Sequence, residues 1–199
     1  LLYNFQGKYE AAEPLFLQSL DLRKKLLGED HPSVATSLNN LALLYNSQGK
    51  YEAAEPLFLQ SLDLRKKLLG EDHPDVATSL NNLALLYNSQ GKYEAAEPLF
   101  LQSLDLCEKL LGEDHPSVAN SLNNLALLYN SQGKYEAAEP LFLQSLELCE
   151  KLLGNKHPNT KIVQNNLVYL HQEIKRSSSF VERVKRWFKN RFQSKEVKK

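Results

Sequence analysis

The chain has 199 residues, 24 Lys and Arg against 24 Asp and Glu, 42% hydrophobic residues, two Cys and no Met. A neutral balance argues against a whole-chain attraction to nucleic acid, and the longest apolar runs fall far short of the roughly 18 residues that a membrane-spanning helix needs. Two Cys cannot make a disulfide scaffold and no basic-then-apolar leader opens the sequence, so a reducing, cytoplasmic setting is expected. With no Met and a start at Leu1, the expectation is a piece of a longer chain.

In chain order the dominant feature is a repeat. Gly7, Gly49, Gly91 and Gly133 are spaced by 42 residues, as are Pro14, Pro56, Pro98 and Pro140 and the His-Pro pairs that begin at His31, His73, His115 and His157. A fixed period of this length marks a stacked array. The copies divide the chain into a half repeat (1–28), full repeats 29–70, 71–112 and 113–154, a terminal first helix at 158–174, and a tail at 175–199.

Each copy carries two stretches of helical periodicity. Helix A, from Pro32 to Gln48 in the first full copy, repeats Val34, Leu38, Leu41, Ala42, Leu44 and Tyr45 at three- and four-residue steps. Pro32 suits a first helical position and Gly49 a left-handed terminus. Helix B, from Lys50 to Leu69, aligns Ala54, Leu57, Phe58, Ser61, Leu62, Leu64 and Leu68, with Gly70 closing it. Pro56 lies several residues inside and predicts a bend or a loosened first turn. Two short helices cannot bury their faces alone, so successive pairs must stack. Ala42, Ala54 and Ser61 permit close backbone approach, with Tyr45, Tyr51 and Phe58 filling the space between copies. The expected fold is all-α: a curved solenoid of antiparallel helix pairs with helix A on the inner surface, followed by a C-terminal amphipathic helix.

The string LNNLALLYNSQGKYEAAEPLFLQSLDL at Leu38–Leu64 places a large residue, Ala42, Tyr45, Gly49, Tyr51, Ala54 and Phe58 in an order that resembles a tetratricopeptide repeat. The flanking LLGEDHPSVATS and the 42-residue period resemble the kinesin light chain type. The resemblance spans Leu1 to about Ile174. It implies a right-handed superhelix, a scaffold role, and a concave surface that holds an extended peptide.

Charge within the repeat points to the same surface. Helix A of the first full copy has no charged residue, whereas helix B carries Glu52, Glu55, Asp63, Arg65, Lys66 and Lys67. The residues of helix A not required for the core form a second stripe. On it, Asn39, Asn81, Asn123 and Asn165 form one amide ladder with Asn40, Asn82, Asn124 and Asn166 beside it, and Asn46, Asn88 and Asn130 follow. A carboxamide both donates and accepts, so such a ladder can pair with peptide N–H and C=O groups, reading backbone rather than side chains. Leu43, Leu85 and Leu127, with Tyr169 in the last copy, add shallow apolar contacts. Lys and Arg are absent from helix A before Lys161, which argues against recognition of a terminal carboxylate. A passive spacer is the competing reading, with one Asn of each pair bonded to the neighbouring copy.

Other chemistry fails on spacing. The His residues lie about 10 Å apart, the packing distance of stacked helices, and cannot share a metal ion; they start helix A, where the ring caps or packs. Cys107 and Cys149, at the position of Arg23 and Arg65, are one copy apart, too far for a disulfide, and are expected to be free thiols. No catalytic constellation and no cofactor site is expected.

The tail differs in composition, with ten Lys or Arg against two acids between Lys175 and Lys199, a net of +8. After Ser177–Ser179, read as a break that caps a new helix, Phe180, Val184, Trp187 and Phe188 share an apolar arc, with Arg183, Arg186 and Lys189 among the basic residues. Three readings stand: a cap replacing the missing helix B of the last copy, a helix that binds an anionic membrane surface or nucleic acid, or one that enters a groove of its own or another copy. For the whole chain, the reading is a non-catalytic scaffold for a protein or peptide partner. The alternative is the sensor or regulatory part of a larger enzyme, a nucleotide-driven switch or protease.

Overall fold

The computed structural model describes the backbone of residues 9–196 and the side chains of 11–178. Eight helices occupy the described residues: α1 (Tyr9–Leu27), α2 (Pro32–Ser47), α3 (Tyr51–Leu69), α4 (Pro74–Ser89), α5 (Tyr93–Leu111), α6 (Pro116–Ser131), α7 (Tyr135–Leu153) and α8 (Pro158–Glu196). Even-numbered helices are helices A and odd-numbered ones helices B. Each packs on its neighbours in sequence, giving an all-α solenoid of antiparallel pairs. Successive helices A also touch one another, from α2 to α8, whereas successive helices B make at most marginal contact. An array in contact along one wall and splayed along the other curves with the touching wall inside, so helices A line the concave side.

The termini of each pair explain the sharpness of the repeat. Helix α2 starts at His31, whose extended backbone lets Nδ1 accept from the Ser33 N–H at 3.1 Å. His73, His115 and His157 do the same for Asp75, Ser117 and Asn159. The imidazole thus satisfies an orphan donor of the first turn, the part usually taken by Ser or Asp. At the other end Gly49 adopts φ 72°, the Lys50 N–H reaches Tyr45 O at 2.9 Å and the Gly49 N–H reaches Asn46 O at 3.0 Å. These are the two bonds of a Schellman terminus, and they turn the chain straight into helix B.

Helix B runs unbroken through its proline. Pro56 and Glu52 are exposed, and the first turn is closed by Ala53 and Ala54 N–H groups on Lys50 O. The expected loosening of that turn is absent. In the core, Phe58, Phe100 and Phe142 are fully buried against fully buried alanines, among them Ala54, Ala96 and Ala138. Each ring contributes about 1.5–3 kcal/mol of burial. Close approach of A to B within a copy is sealed by a serine: Ser61 Oγ donates to Ala35 O at 2.8 Å, repeated by Ser103 on Ala77 and Ser145 on Ala119.

Between copies one polar cluster recurs. Tyr87 Oη donates to Glu55 Oε1 at 3.1 Å, while Lys92 Nζ reaches Glu55 Oε2 at 3.4 Å and lies 5.5 Å from the Tyr87 ring centroid. Glu13, Tyr45 and Lys50 repeat it, as do Glu97, Tyr129 and Lys134. The Lys50 hydrogen bond, helped by Tyr45, holds the Glu13 carboxyl below its usual range against the opposing effect of burial. Burial first, and then the facing carboxylate, push the hydroxyls of Tyr45, Tyr87 and Tyr129 above theirs. In the last copy His171 replaces the tyrosine and contacts Glu139 at 2.8 Å.

The tail departs from expectation. Helix α8 continues through Ser177–Ser179 in one 39-residue element, so the predicted break is absent. Serine is tolerated inside a helix when its hydroxyl returns to the backbone, and Ser178 Oγ bonds Lys175 O at 3.1 Å. Without a corner, the described backbone has no antiparallel replacement for helix B, as the cap reading required. Val163, Leu167, Leu170 and Ile174 pack α8 against α7. The roles expected for Phe180, Arg183, Val184, Arg186, Trp187, Phe188 and Lys189 fall outside the described side chains.

Candidate functional site: the helix A face

The helix A face is built by a register of amides. Asn82 Nδ2 donates to Asn39 Oδ1 at 2.9 Å, Asn124 Nδ2 to Asn81 Oδ1 at 2.9 Å, and Asn166 Nδ2 to Asn123 Oδ1 at 2.9 Å. Each bond crosses from one copy to the next, which is why successive helices A touch. The ladder is therefore an interlocked double row rather than a single open one. Asn39 is 6% exposed and Asn123 9%, so the inner row is largely spent on the array itself. Asn82, Asn124 and Asn166 are half-buried and keep a second N–H; Asn82 and Asn166 also keep an Oδ1, whereas that of Asn124 accepts from Asn123 Nδ2 at 3.4 Å. Asn40 and Asn165, at the two ends, have no such cross-copy bond among the described residues; Asn40 is half-buried and Asn165 exposed.

The other residues expected on this face divide. Leu43, Leu85 and Leu127 are half-buried beside the amides, and Tyr169 is 52% exposed. Asn46, Asn88 and Asn130 are half-buried, and their Oδ1 atoms are enclosed without a hydrogen-bond partner. They offer this face less than their place on the stripe suggests. Thr36, Thr78 and Asn120 are exposed one turn before the ladder. Burying an amide oxygen without a partner costs about 1–3 kcal/mol, so the rows that remain polar here do so at some expense to stability.

A second feature was not anticipated from the sequence. Arg23 Nη1 donates to Ser33 O at 3.1 Å and Ser37 Oγ at 2.7 Å, and Arg65 Nη1 to Asp75 O at 2.9 Å and Ser79 Oγ at 2.8 Å. Arg65 is only 7% exposed, and burial pushes its guanidinium below the usual range, with Asp75 opposing. Each of these arginines ties a helix B to the first turns of the helix A that follows it. The next two copies have Cys107 and Cys149 there, both free and buried. Burial pushes both thiols upward, so neither is a poised thiolate. No helix among the described residues is long and apolar enough to cross a membrane.

Comparison with known proteins agrees with this architecture. The tetratricopeptide repeat family model matches residues 1–67, 43–109, 75–151 and 117–179. Among solved structures, BtubC (BKLC) from P. vanneervenii is 27% identical with a TM-score of 0.73, over 93% of this chain and 75% of that one. A candidate kinesin light chain of Podosopora anserina, built of nearly identical TPR-like repeats, is 28% identical with a TM-score of 0.70, over 89% of this chain and 84% of that one. A single-substitution form of that protein gives 28% and 0.70 over 92% and 88%. No curated protein matches the chain. Four overlapping matches that run from one end of the solenoid into helix α8, on a fold shared with kinesin light chain-like arrays, show that the chain belongs to the tetratricopeptide repeat family.

Proposed function

We propose that this chain is a non-catalytic scaffold that holds an extended peptide segment along its helix A face. The observation that carries the reading is the double amide row: Asn39, Asn81 and Asn123 fix the orientation of Asn82, Asn124 and Asn166 before any ligand arrives. Preorganised groups lose less conformational freedom on binding. The face is free of Lys and Arg from Pro32 to Ser131 on the helices A, so affinity rests on amide pairing and on the shallow contacts of Leu43, Leu85 and Leu127. Its likeness to kinesin light chain-like arrays supports a partner-holding role, and the two free thiols support a reducing, cytoplasmic setting.

The test is selection of binders from a random dodecapeptide library on the purified chain, followed by affinity measurement on Asn82→Ala/Asn124→Ala. Each lost hydrogen bond to the peptide is worth about 0.5–1.5 kcal/mol, so the double variant should bind roughly tenfold more weakly. An unchanged affinity in that variant, or no peptide enriched above a scrambled control, would refute the reading.

A further inference from the structure

The position that Arg23 and Arg65 fill becomes a cavity one copy later. With Cys107 in place of arginine, about 190 Å³ opens among Thr78 on α4, Ser103 and Cys107 on α5, and Ser117, Asn120 and Ser121 on α6. One water in bulk occupies about 30 Å³. The rim residues Thr78 and Asn120 belong to the exposed edge of the helix A face, so the cavity opens beside the amide row.

Its inner wall keeps the acceptors of the missing guanidinium. Ser121 is the counterpart of Ser37 and Ser79, and Ser117 of Ser33 and Asp75, the residues whose hydroxyl and carbonyl oxygens receive Arg23 and Arg65. Ser121 is 5% exposed, and its hydroxyl is left with only the Cys107 sulfur, at 3.9 Å. The fourth copy shows what a settled replacement looks like. There Cys149 faces Val163, so arginine and serine have both given way, and the pair is buried at 2% and 4% exposure. At Cys107 only the donor has gone. The neighbouring position changes in the same sense: Lys24 and Lys66 become Glu108, so two cations are replaced by a neutral thiol and one anion. Glu108 itself, with Glu113, Asp114, Glu147 and Lys151, lines a separate pocket and not this cavity.

From this we infer that the Cys107 cavity is a guanidinium socket, which takes an arginine side chain from a segment lying on the helix A face. The ligand supplies from outside the group that Arg23 and Arg65 supply from within the chain. The inference rests on the peptide-holding role and adds its chemistry. One guanidinium nitrogen can reach both the Ser117 carbonyl and the Ser121 hydroxyl, as Arg65 Nη1 does with its own pair, and a guanidinium is more weakly hydrated and so more readily buried than a lysine ammonium, a compact, strongly hydrated charge.

The experiment has two arms on the full chain. In the first, alkylation of Cys107 and Cys149 by iodoacetamide is followed site by site by mass spectrometry, with millimolar methylguanidinium or methylammonium at matched ionic strength. Methylguanidinium should slow Cys107 severalfold and leave Cys149 unchanged, while methylammonium should do neither. In the second arm, selected dodecapeptides are measured on wild type, on Cys107→Arg, which fills the socket as Arg65 does, and on Ser121→Val, which copies the fourth repeat. Arginine-to-lysine exchange in the peptide should cost at least tenfold on wild type and under twofold on either variant. Equal protection by the two cations would overturn the socket. Peptides that bind with no arginine dependence would also overturn it while leaving the groove intact. Methylguanidinium protection in the absence of any bound peptide would instead retain the socket and remove the groove as its source of arginine.

Discussion

The amide row makes a quantitative claim about how copies are joined, and the Asn81–Asn124 pair is the place to measure it. Both side chains are half-buried and joined by one neutral hydrogen bond of 2.9 Å. Such a bond contributes about 0.5–1.5 kcal/mol net, and removing one partner leaves the other amide short of a mate. Asn81→Ala and Asn124→Ala should therefore each cost about 1 kcal/mol. The double variant should cost little more than either alone, because the second change removes a group already orphaned. The coupling energy is then about 1 kcal/mol, from urea unfolding of the four proteins followed by circular dichroism. A control cycle on Asn40 and Asn124, which share no bond, should be additive within about 0.3–0.5 kcal/mol. Coupling at Asn81–Asn124 no larger than that control would mean that the row does not join the copies. The preorganised outer amides would lose their physical basis with it.

Two further outcomes follow from the corners and the clusters between copies. Gly91 holds φ 72° with no atom within 4 Å of where a Cβ would stand, so Gly91→Ala should cost only the left-handed backbone penalty of about 1–2 kcal/mol, and Gly91→Asn less; equal loss for both in thermal unfolding would contradict this. Tyr45, Tyr87 and Tyr129 have hydroxyls pushed above their usual value near 10, so the native state keeps protons that the unfolded chain releases. Stability from these groups is complete below about pH 10 and falls as pH rises further. Urea midpoints taken across that range should drop, and drop less in Tyr87→Phe; an identical alkaline profile for the two proteins would refute the assignment.

Much of this structure could be read from the sequence because period and polarity coincide. Leu38, Leu41, Ala42 and Tyr45 recur with helical spacing, and Gly49 and Gly70 close the helices that they were expected to close. What escaped depended on the angle between copies. Asn39 and Asn40 are adjacent and about 100° apart on the helix, so which of them meets the next copy is decided by stacking geometry. The Glu55–Tyr87–Lys92 cluster links positions 32 and 37 residues apart, which the 42-residue period does not pair. The exchange of Arg65 for Cys107 is visible in the sequence, where it reads as thiol chemistry. Its importance lies in the space that arginine had occupied. Ser177–Ser179 looked like a stop because serine caps helices well, yet a cap forms only where the chain turns away.

The sameness of the junctions has a consequence for how such a chain can change length. Each junction between full copies repeats the same glutamate, tyrosine and lysine and the same amide pair, at nearly the same distances. Excision of residues 71–112 would bring the end of one copy onto the start of another with all of these contacts available. It would also set Arg65 opposite Ser121, the pairing that Arg23 already makes with Ser37. One whole unit can thus be lost or gained without a new interface having to be invented. In such a molecule the number of units is open to recombination, and a feature confined to one junction, such as the opening at Cys107, is the part that a change of length could erase.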